Sequence, residues 1–165
     1  MFPICSRASV ACVFLVLLAG CQNFSEIVPG TKSSELVQRF GKPNAVWRNA
    51  DGSEVWEYPR EYPRADGHEK FLIEIGTDQT VRMVRQVLTE EYLSKVRVGM
   101  SHDDVQRILG TPHEIAIFDR LNEEVWTWPH REPPNDMLFH VYFDRTSGTV
   151  KRVLRLDNLF VPSLR

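Results

Sequence analysis

The sequence predicts an α+β fold built from two tandem units, each a short helix or pair of helices followed by a three- or four-stranded antiparallel sheet, with the helices packed on one sheet face. Three observations carry this expectation. The stretch "GTKSSELVQRFGKP", residues 30–43, aligns without a gap on "GMSHDDVQRILGTP", residues 99–112, setting Gly30 on Gly99, Gly41 on Gly110 and Pro43 on Pro112. After each copy come β-branched and aromatic runs of strand length: "AVW" and "IAIF", "SEVWEYP" and "EEVWTWP", "FLIEI" and "FHVYF", "TVRMVRQV" and "TVKRVLRL". Turn residues recur between those runs: Asp51-Gly52 against Asn122, Pro63 to Gly67 against Pro133 to Asp136, and Gly76 to Gln79 against Arg145 to Gly148.

Ahead of the first unit, residues 1–20 hold one cation, Arg7, and an apolar run from Val10 to Leu18 that ends in small residues. That is the layout of an export signal, too short to span a membrane as a mature helix. Leu18-Ala19-Gly20-Cys21 resembles the bacterial lipobox, which implies cleavage before Cys21, a lipid on its thiol and acylation of the new amino terminus. Three acyl chains exceed the two signals that stable anchoring needs. Gln22, where Asp would retain such a protein at the inner membrane, gives an expected place on the periplasmic leaflet of the outer membrane. Cleavage removes Cys5 and Cys12, so no disulfide or catalytic thiol is expected in the remainder. Residues 21–29 read as a lipidated linker, 30–88 as the first unit and 89–165 as the second.

The main helices come next. In the second unit Ser101 caps and Asp104 stands three residues on, a short-armed capping box. Val105, Ile108 and Leu109 make one apolar stripe, Gly110 takes the left-handed conformation just past the helix, and Pro112 stops it. The first unit keeps Leu36, Phe40, Gly41 and Pro43, with Lys32 at the weaker cap position. Minor helical segments are expected at Thr89 to Val96 and around Phe24 to Val28.

Period-two alternation divides the strands between two faces. Trp56, Tyr58, Phe71, Ile73 and Ile75, and in the second unit Trp126, Trp128, Phe139, Val141 and Phe143, form the face expected to lie against the helices. The opposite face carries Val55, Glu57, Leu72 and Glu74 in one unit and Val125, Thr127, His140 and Tyr142 in the other, an open surface expected to meet a partner. The two units are expected to share a sheet and shield each other's edges.

Catalytic chemistry finds no foothold. The glycines are taken up by the lipobox, helix ends and turns, leaving none for a phosphate loop. His68, His102, His113, His130 and His140 lack metal-ligand spacing and read as surface residues. The acidic pairs Glu90-Glu91, Asp103-Asp104 and Glu123-Glu124 are neighbours in sequence rather than a positioned acid and base. Neither an enzyme, a cofactor nor a metal is expected. A net charge of −2 without a basic stripe gives no reason to expect a nucleic-acid partner.

Leu88-Thr89, the run Ser94 to Met100, the stop Leu109-Gly110-Thr111-Pro112 and the strand Trp126-Thr127-Trp128 together resemble the SmpA/OmlA (BamE-like) outer-membrane lipoproteins. The resemblance covers the second unit and extends to the first through Gly30, Gly41, Pro43, Trp56 and Tyr58, whereas the family's typical member has one such unit. It implies a non-enzymatic accessory subunit of the machinery that assembles β-barrel proteins in the outer membrane. The implied partners are another lipoprotein subunit and, at the lipid surface, phosphatidylglycerol. Of the family's binding positions only Arg131, just after the Trp-x-Trp strand, carries over; Arg97, Val98 and Met100, around Gly99, are further candidates for partner contact. The tandem layout also resembles the β-lactamase inhibitory proteins, which implies instead a lipid-anchored binder of an envelope enzyme acting through Trp47, His140 and Tyr142. Exposed apolar residues before Gly99 would favour the first reading, and apolar residues spread over the sheet faces of both units the second.

Overall fold

A computed structural model describes residues 24–61, 68–133 and 135–157. The export signal, Cys21 and the Pro63 to Gly67 turn lie outside the described residues. The first unit runs from a 3-10 turn at Phe24–Glu26 through α1 (Ser33–Phe40) to β1 (Ala45–Arg48), β2 (Glu54–Glu61), β3 (His68–Ile75) and β4 (Val81–Gln86). The second comprises α2 (Glu90–Leu93), α3 (His102–Leu109), β5 (Glu114–Phe118), a 3-10 turn at Asp119–Leu121, β6 (Glu123–Glu132), β7 (Asn135–Asp144) and β8 (Thr149–Asp157). The α+β class, the two units and the position of every strand follow the expected order. The sheets do not merge: each is a separate four-stranded antiparallel meander, β1-β2-β3-β4 and β5-β6-β7-β8.

The two units repeat atom for atom at their helix entrances. Gly30 N–H donates to Val81 O at 2.8 Å and Val81 N–H to Thr31 O at 2.8 Å; Gly99, Val150 and Met100 make the same pair of bonds at the same distances. Lys32 bridges Thr80 as Ser101 bridges Thr149. Thus the positive-φ glycines Gly30 and Gly99, each with φ 90°, tie the segment before the helix to the start of the last strand. At the far end Gly41 (φ 81°, ψ −170°) and Gly110 (φ 75°, ψ −167°) have a positive φ, but Gly110 is not in the expected left-handed conformation: in both glycines ψ lies in the extended mirror region that is essentially reserved for glycine.

The capping box of α3 forms as the sequence indicates. Ser101 Oγ accepts from Asp104 N–H, and the Asp104 carboxylate accepts from Ser101 N–H at 2.9 Å. The Ser101 hydroxyl also donates to the Asp104 carboxylate at 2.7 Å, and this bond with that from Ser101 N–H holds the Asp104 carboxyl below its ordinary range. Lys32 provides α1 with no side-chain cap.

The helix-facing sheet surfaces are the cores. Phe24 stacks between Phe40 and Phe71 at centroid distances of 4.2 and 4.6 Å, over Leu36, Ile73, Ile75 and Val81. In the second unit Leu93, Val96, Val105 and Leu109 close over Trp126, Trp128, Phe139, Val141 and Phe143. Burying each large side chain contributes about 1.5–3 kcal/mol, which is what holds helices as short as eight residues in place. The surface-histidine expectation fails at His130, which is 3% exposed with its ring edge-on to Phe139. Burial pushes its pKa below the ordinary 6.5, and the nearby Arg155 guanidinium adds to that. His102 also leaves solvent in part, stacked on Phe143 at 3.9 Å.

Candidate functional site

The first unit's opposite sheet face is not open. Glu57 and Leu72, expected to meet an outside partner there, are fully buried. The covering element is the second unit: the end of α3 and the turn after it lie on this face. All of Thr111's polar groups are used in the contact. Its N–H and Oγ1–H donate to the two Glu57 carboxylate oxygens at 2.7 and 2.5 Å, and its carbonyl accepts from Lys70 Nζ and from Trp128 Nε1, the latter at 3.0 Å. Lys70 Nζ stands 3.3 Å from Glu57. Burial pulls the Lys70 pKa below its ordinary value, opposed by the Glu57 charge. A cavity of about 220 Å³ adjoins this knot, lined by Glu69, Leu88, Pro112, His113 and Pro129 beside the residues just named.

The same covering reaches Trp47. Farther along α3, Arg107 donates to Asn49 Oδ1 at 3.2 Å and shares a small cavity with Trp47, Val55, Glu74 and Arg85. Trp47 therefore belongs to the junction between units. His140 and Tyr142 lie on the second unit's opposite face, the side of that sheet away from α3, so the structure does not gather the three into one surface.

The second unit's opposite face is uncovered among the described residues. Cross-strand register aligns Ala116, Val125, Tyr142 and Arg152, and next to them Glu114, Thr127, His140 and Leu154. Thr127 Oγ1 and His140 Nδ1 lie 2.9 Å apart, and the Arg152 guanidinium sits 3.8 Å over the Tyr142 ring. Burial lowers the His140 pKa, with Glu114 acting in the other direction. Leu154 and Leu156 are 40% and 48% exposed. Val125 and Thr127 are buried beneath their neighbours.

The Gly99 turn exposes Arg97 and Val98, while Met100 is half-buried and packs against the second unit's core. Val98 is 69% exposed, the most exposed of the large apolar side chains described. Its neighbours are fixed: the Arg97 guanidinium donates to the Ser94 and Val96 carbonyls, Arg97 N–H points to Met100 Sδ at 3.4 Å, and Gly99 N–H is held by Val150 O. The turn is thus a rigid projection with an apolar tip and a cation beside it. Arg131 is also exposed but stands at the other end of the sheet, paired in register with Asp136. Val150 is opposite Phe143, and Phe143 opposite Glu124, so Arg131 lies seven residues along β6 from the turn's anchor, roughly 23 Å at strand rise. The structure sets Arg97, Val98 and Met100 side by side in one turn and leaves Arg131 away from it.

Glu57, Lys70 and Thr111 went unrecognised in the sequence as a unit. The available signal was a break in the repeat: after superposition of "SEVWEYP" on "EEVWTWP", Glu57 falls on Thr127, and the residue opposite the following proline is Lys70 in one unit and Leu138 in the other. A charged pair present in one copy only marks the copy that has something to bind there. No helix among the described residues is long and apolar enough to cross a membrane.

Comparison with known proteins bears on the second unit above all. Residues 86–151 match the outer membrane protein assembly factor BamE domain. The motifs from Leu88 to Trp128 that carry the resemblance fall within that match. No curated protein matches the chain. Among solved structures, a beta-lactamase-inhibitor-like protein from Streptococcus mutans is similar at 18% identity, covering 77% of this chain and 83% of that one, with a TM-score of 0.31. A DUF4309 family protein from Bacillus subtilis is similar at 15% identity, covering 76% and 78%, with a TM-score of 0.29. An extracellular protein containing a SCP domain from Bacillus anthracis is similar at 17% identity, covering 96% and 50%, with a TM-score of 0.26.

Proposed function

We propose that this chain is a non-enzymatic, lipid-anchored accessory subunit for assembly of β-barrel proteins in the outer membrane, docking on another subunit of that machinery through the Gly99 turn. The BamE-domain match suggests the process. The observation that supports this mode of binding is the turn itself: an exposed Val98 flanked by Arg97 and Met100 on a backbone pinned to β8. A pre-ordered apolar tip loses little conformational entropy on binding, which is what lets a small contact count. Arg131 serves a second, separate contact, and Cys21 carries the lipid that holds the protein at the periplasmic leaflet, within reach of phosphatidylglycerol.

The alternative of an enzyme binder gripping through both sheet faces has less support, because the first unit's face is filled by the second unit. The test is affinity purification of the tagged chain from gently solubilised membranes, with mass spectrometry of its companions. Recovery of barrel-assembly components, at least tenfold reduced by Val98→Glu and little changed by Tyr142→Ala, is the expected result. A single unrelated envelope protein, released by Tyr142→Ala and indifferent to Val98→Glu, would replace this reading with the binder.

A further inference from the structure

Four strands form the outer edges of the two sheets, and three of them are guarded. The β4 edge carries Arg82 and Arg85, the β8 edge Lys151, Arg152 and Arg155, and the short β1 ends in Arg48. Charges on an edge strand discourage a further strand from pairing with it. The β5 edge is different. Its sequence is Glu-Ile-Ala-Ile-Phe, with no charge after Glu114 and no proline or bulge against β6. Ile115 and Ile117 are 51% and 57% exposed on the helix side of the sheet, and Phe118 is 47% exposed. An apolar pair at alternate positions beside unpaired backbone groups is matched by one kind of surface, another extended strand, which satisfies amides and side chains together.

The order of residues in β5 selects which strand. It reads the same in both directions about Ala116: isoleucine on either side, the small residue at the centre. We infer that β5 pairs antiparallel with β5 of a second copy of this chain about a two-fold axis at Ala116, joining two second-unit sheets into one continuous eight-stranded sheet. In that register Ile115 faces the partner copy's Ile117 and Ile117 its Ile115, so four isoleucines close into one layer on the helix side. Ala116 meets its own counterpart on the axis. Each Glu114 lies opposite a Phe118, and the two Glu114 carboxylates stay several residues apart. The contact is isologous and closes at two copies, so it does not propagate into a fibre. It leaves the Gly99 turn free, because that turn is tied to β8, the strand at the other edge of the same sheet. The inference stands independently of the proposed function.

The test is the mass of the purified full chain by sedimentation in detergent, together with two variants. The expected result is a dimer that Ile117→Lys converts to a monomer, halving the protein mass, with unchanged circular dichroism. Ala116→Cys retains the apolar pair and places a thiol on the axis, where opposed strand Cα atoms are within disulfide range, about 4.5–5.5 Å. It should yield a cross-linked dimer on a non-reducing gel, well above the unsubstituted chain and above Val46→Cys, an exposed position on the β1 edge of the other sheet. A monomer at every concentration overturns the inference, as does a dimer whose Ala116→Cys form cross-links no better than Val46→Cys. Protection of the β5 amides in a monomer bound to a different protein also overturns it, assigning the edge to a foreign strand.

Discussion

Removing one member of the Glu57–Lys70 pair while leaving the other tests whether the junction between the units rests on that pair. Lys70→Met keeps the aliphatic stem and deletes the charge 3.3 Å from a carboxylate that is fully buried. Breaking a buried pair on one side costs about 3–5 kcal/mol, because the surviving charge is left uncompensated. Glu57 still accepts two bonds from Thr111, so the lower end, about 3 kcal/mol, applies. With a urea slope of about 2 kcal/mol/M, the unfolding midpoint should fall by roughly 1.5 M. Glu57→Leu leaves Lys70 buried and strips Thr111 of both acceptors, for about 4–5 kcal/mol. In the double variant no buried charge remains, and the residual penalty is the two unsatisfied Thr111 donors, about 2–4 kcal/mol. The double variant should therefore be several kcal/mol less harmful than the sum of the singles. Urea titration followed by tryptophan fluorescence measures all three. Additivity within about 0.5 kcal/mol, or a Lys70→Met effect below about 1 kcal/mol, would refute the reasoning, since it would mean that the pair is solvated or absent.

Glycine substitutions provide a further check on the same junction. Gly41→Ala and Gly110→Ala carry similar backbone strain, about 1–3 kcal/mol, but a Cβ at Gly110 would collide with Glu57 Oε2 and with the Lys70 stem, whereas Gly41 faces open space. Gly110→Ala should then be clearly the more destabilising in thermal unfolding, and equal effects would count against the docked turn. Lys32→Ser should complete a capping box with Glu35 in α1 and raise stability by about 0.5–1 kcal/mol, read in the same titration, while Ser101→Ala should lower it by about 1 kcal/mol. His130 gives a pH signature. Its folded pKa lies below 6.5, so as pH falls through 6.5 the unfolded chain takes up the proton first and stability declines. Thermal midpoints measured from pH 7 downwards should fall less steeply in His130→Leu than in the unsubstituted chain.

Much of this molecule was legible locally. Apolar stripe, glycine and proline stop are written within the fourteen residues of each helical segment, with a capping box in the second, and alternation such as Trp56, Tyr58 or Phe139, Val141, Phe143 assigns a strand's two faces without reference to anything distant. These patterns are legible because backbone geometry fixes the side-chain period, 3.6 in helices and 2 in strands. The duplication was visible for the same reason, and the matched bonds of Gly30 with Val81 and of Gly99 with Val150 show that it extends to individual backbone groups.

The sequence by itself thus determined the units, their strand order and which face of each sheet meets its own helix. Only the tertiary structure decided how one unit sits on the other. Periodicity distinguishes two faces but cannot say whether the face turned away from the helix borders solvent or protein. That choice depends on a contact between Glu57 and Thr111, 54 residues apart, whose formation no local rule anticipates. Hence Glu57 and Leu72, expected to be exposed, are buried, and Trp47 is part of a junction. His130 is inside, its ring edge-on to Phe139 with Arg155 nearby. The exposed residues that remain, Val98 on its turn and Ile115 and Ile117 on their edge, are defined by what that packing left uncovered.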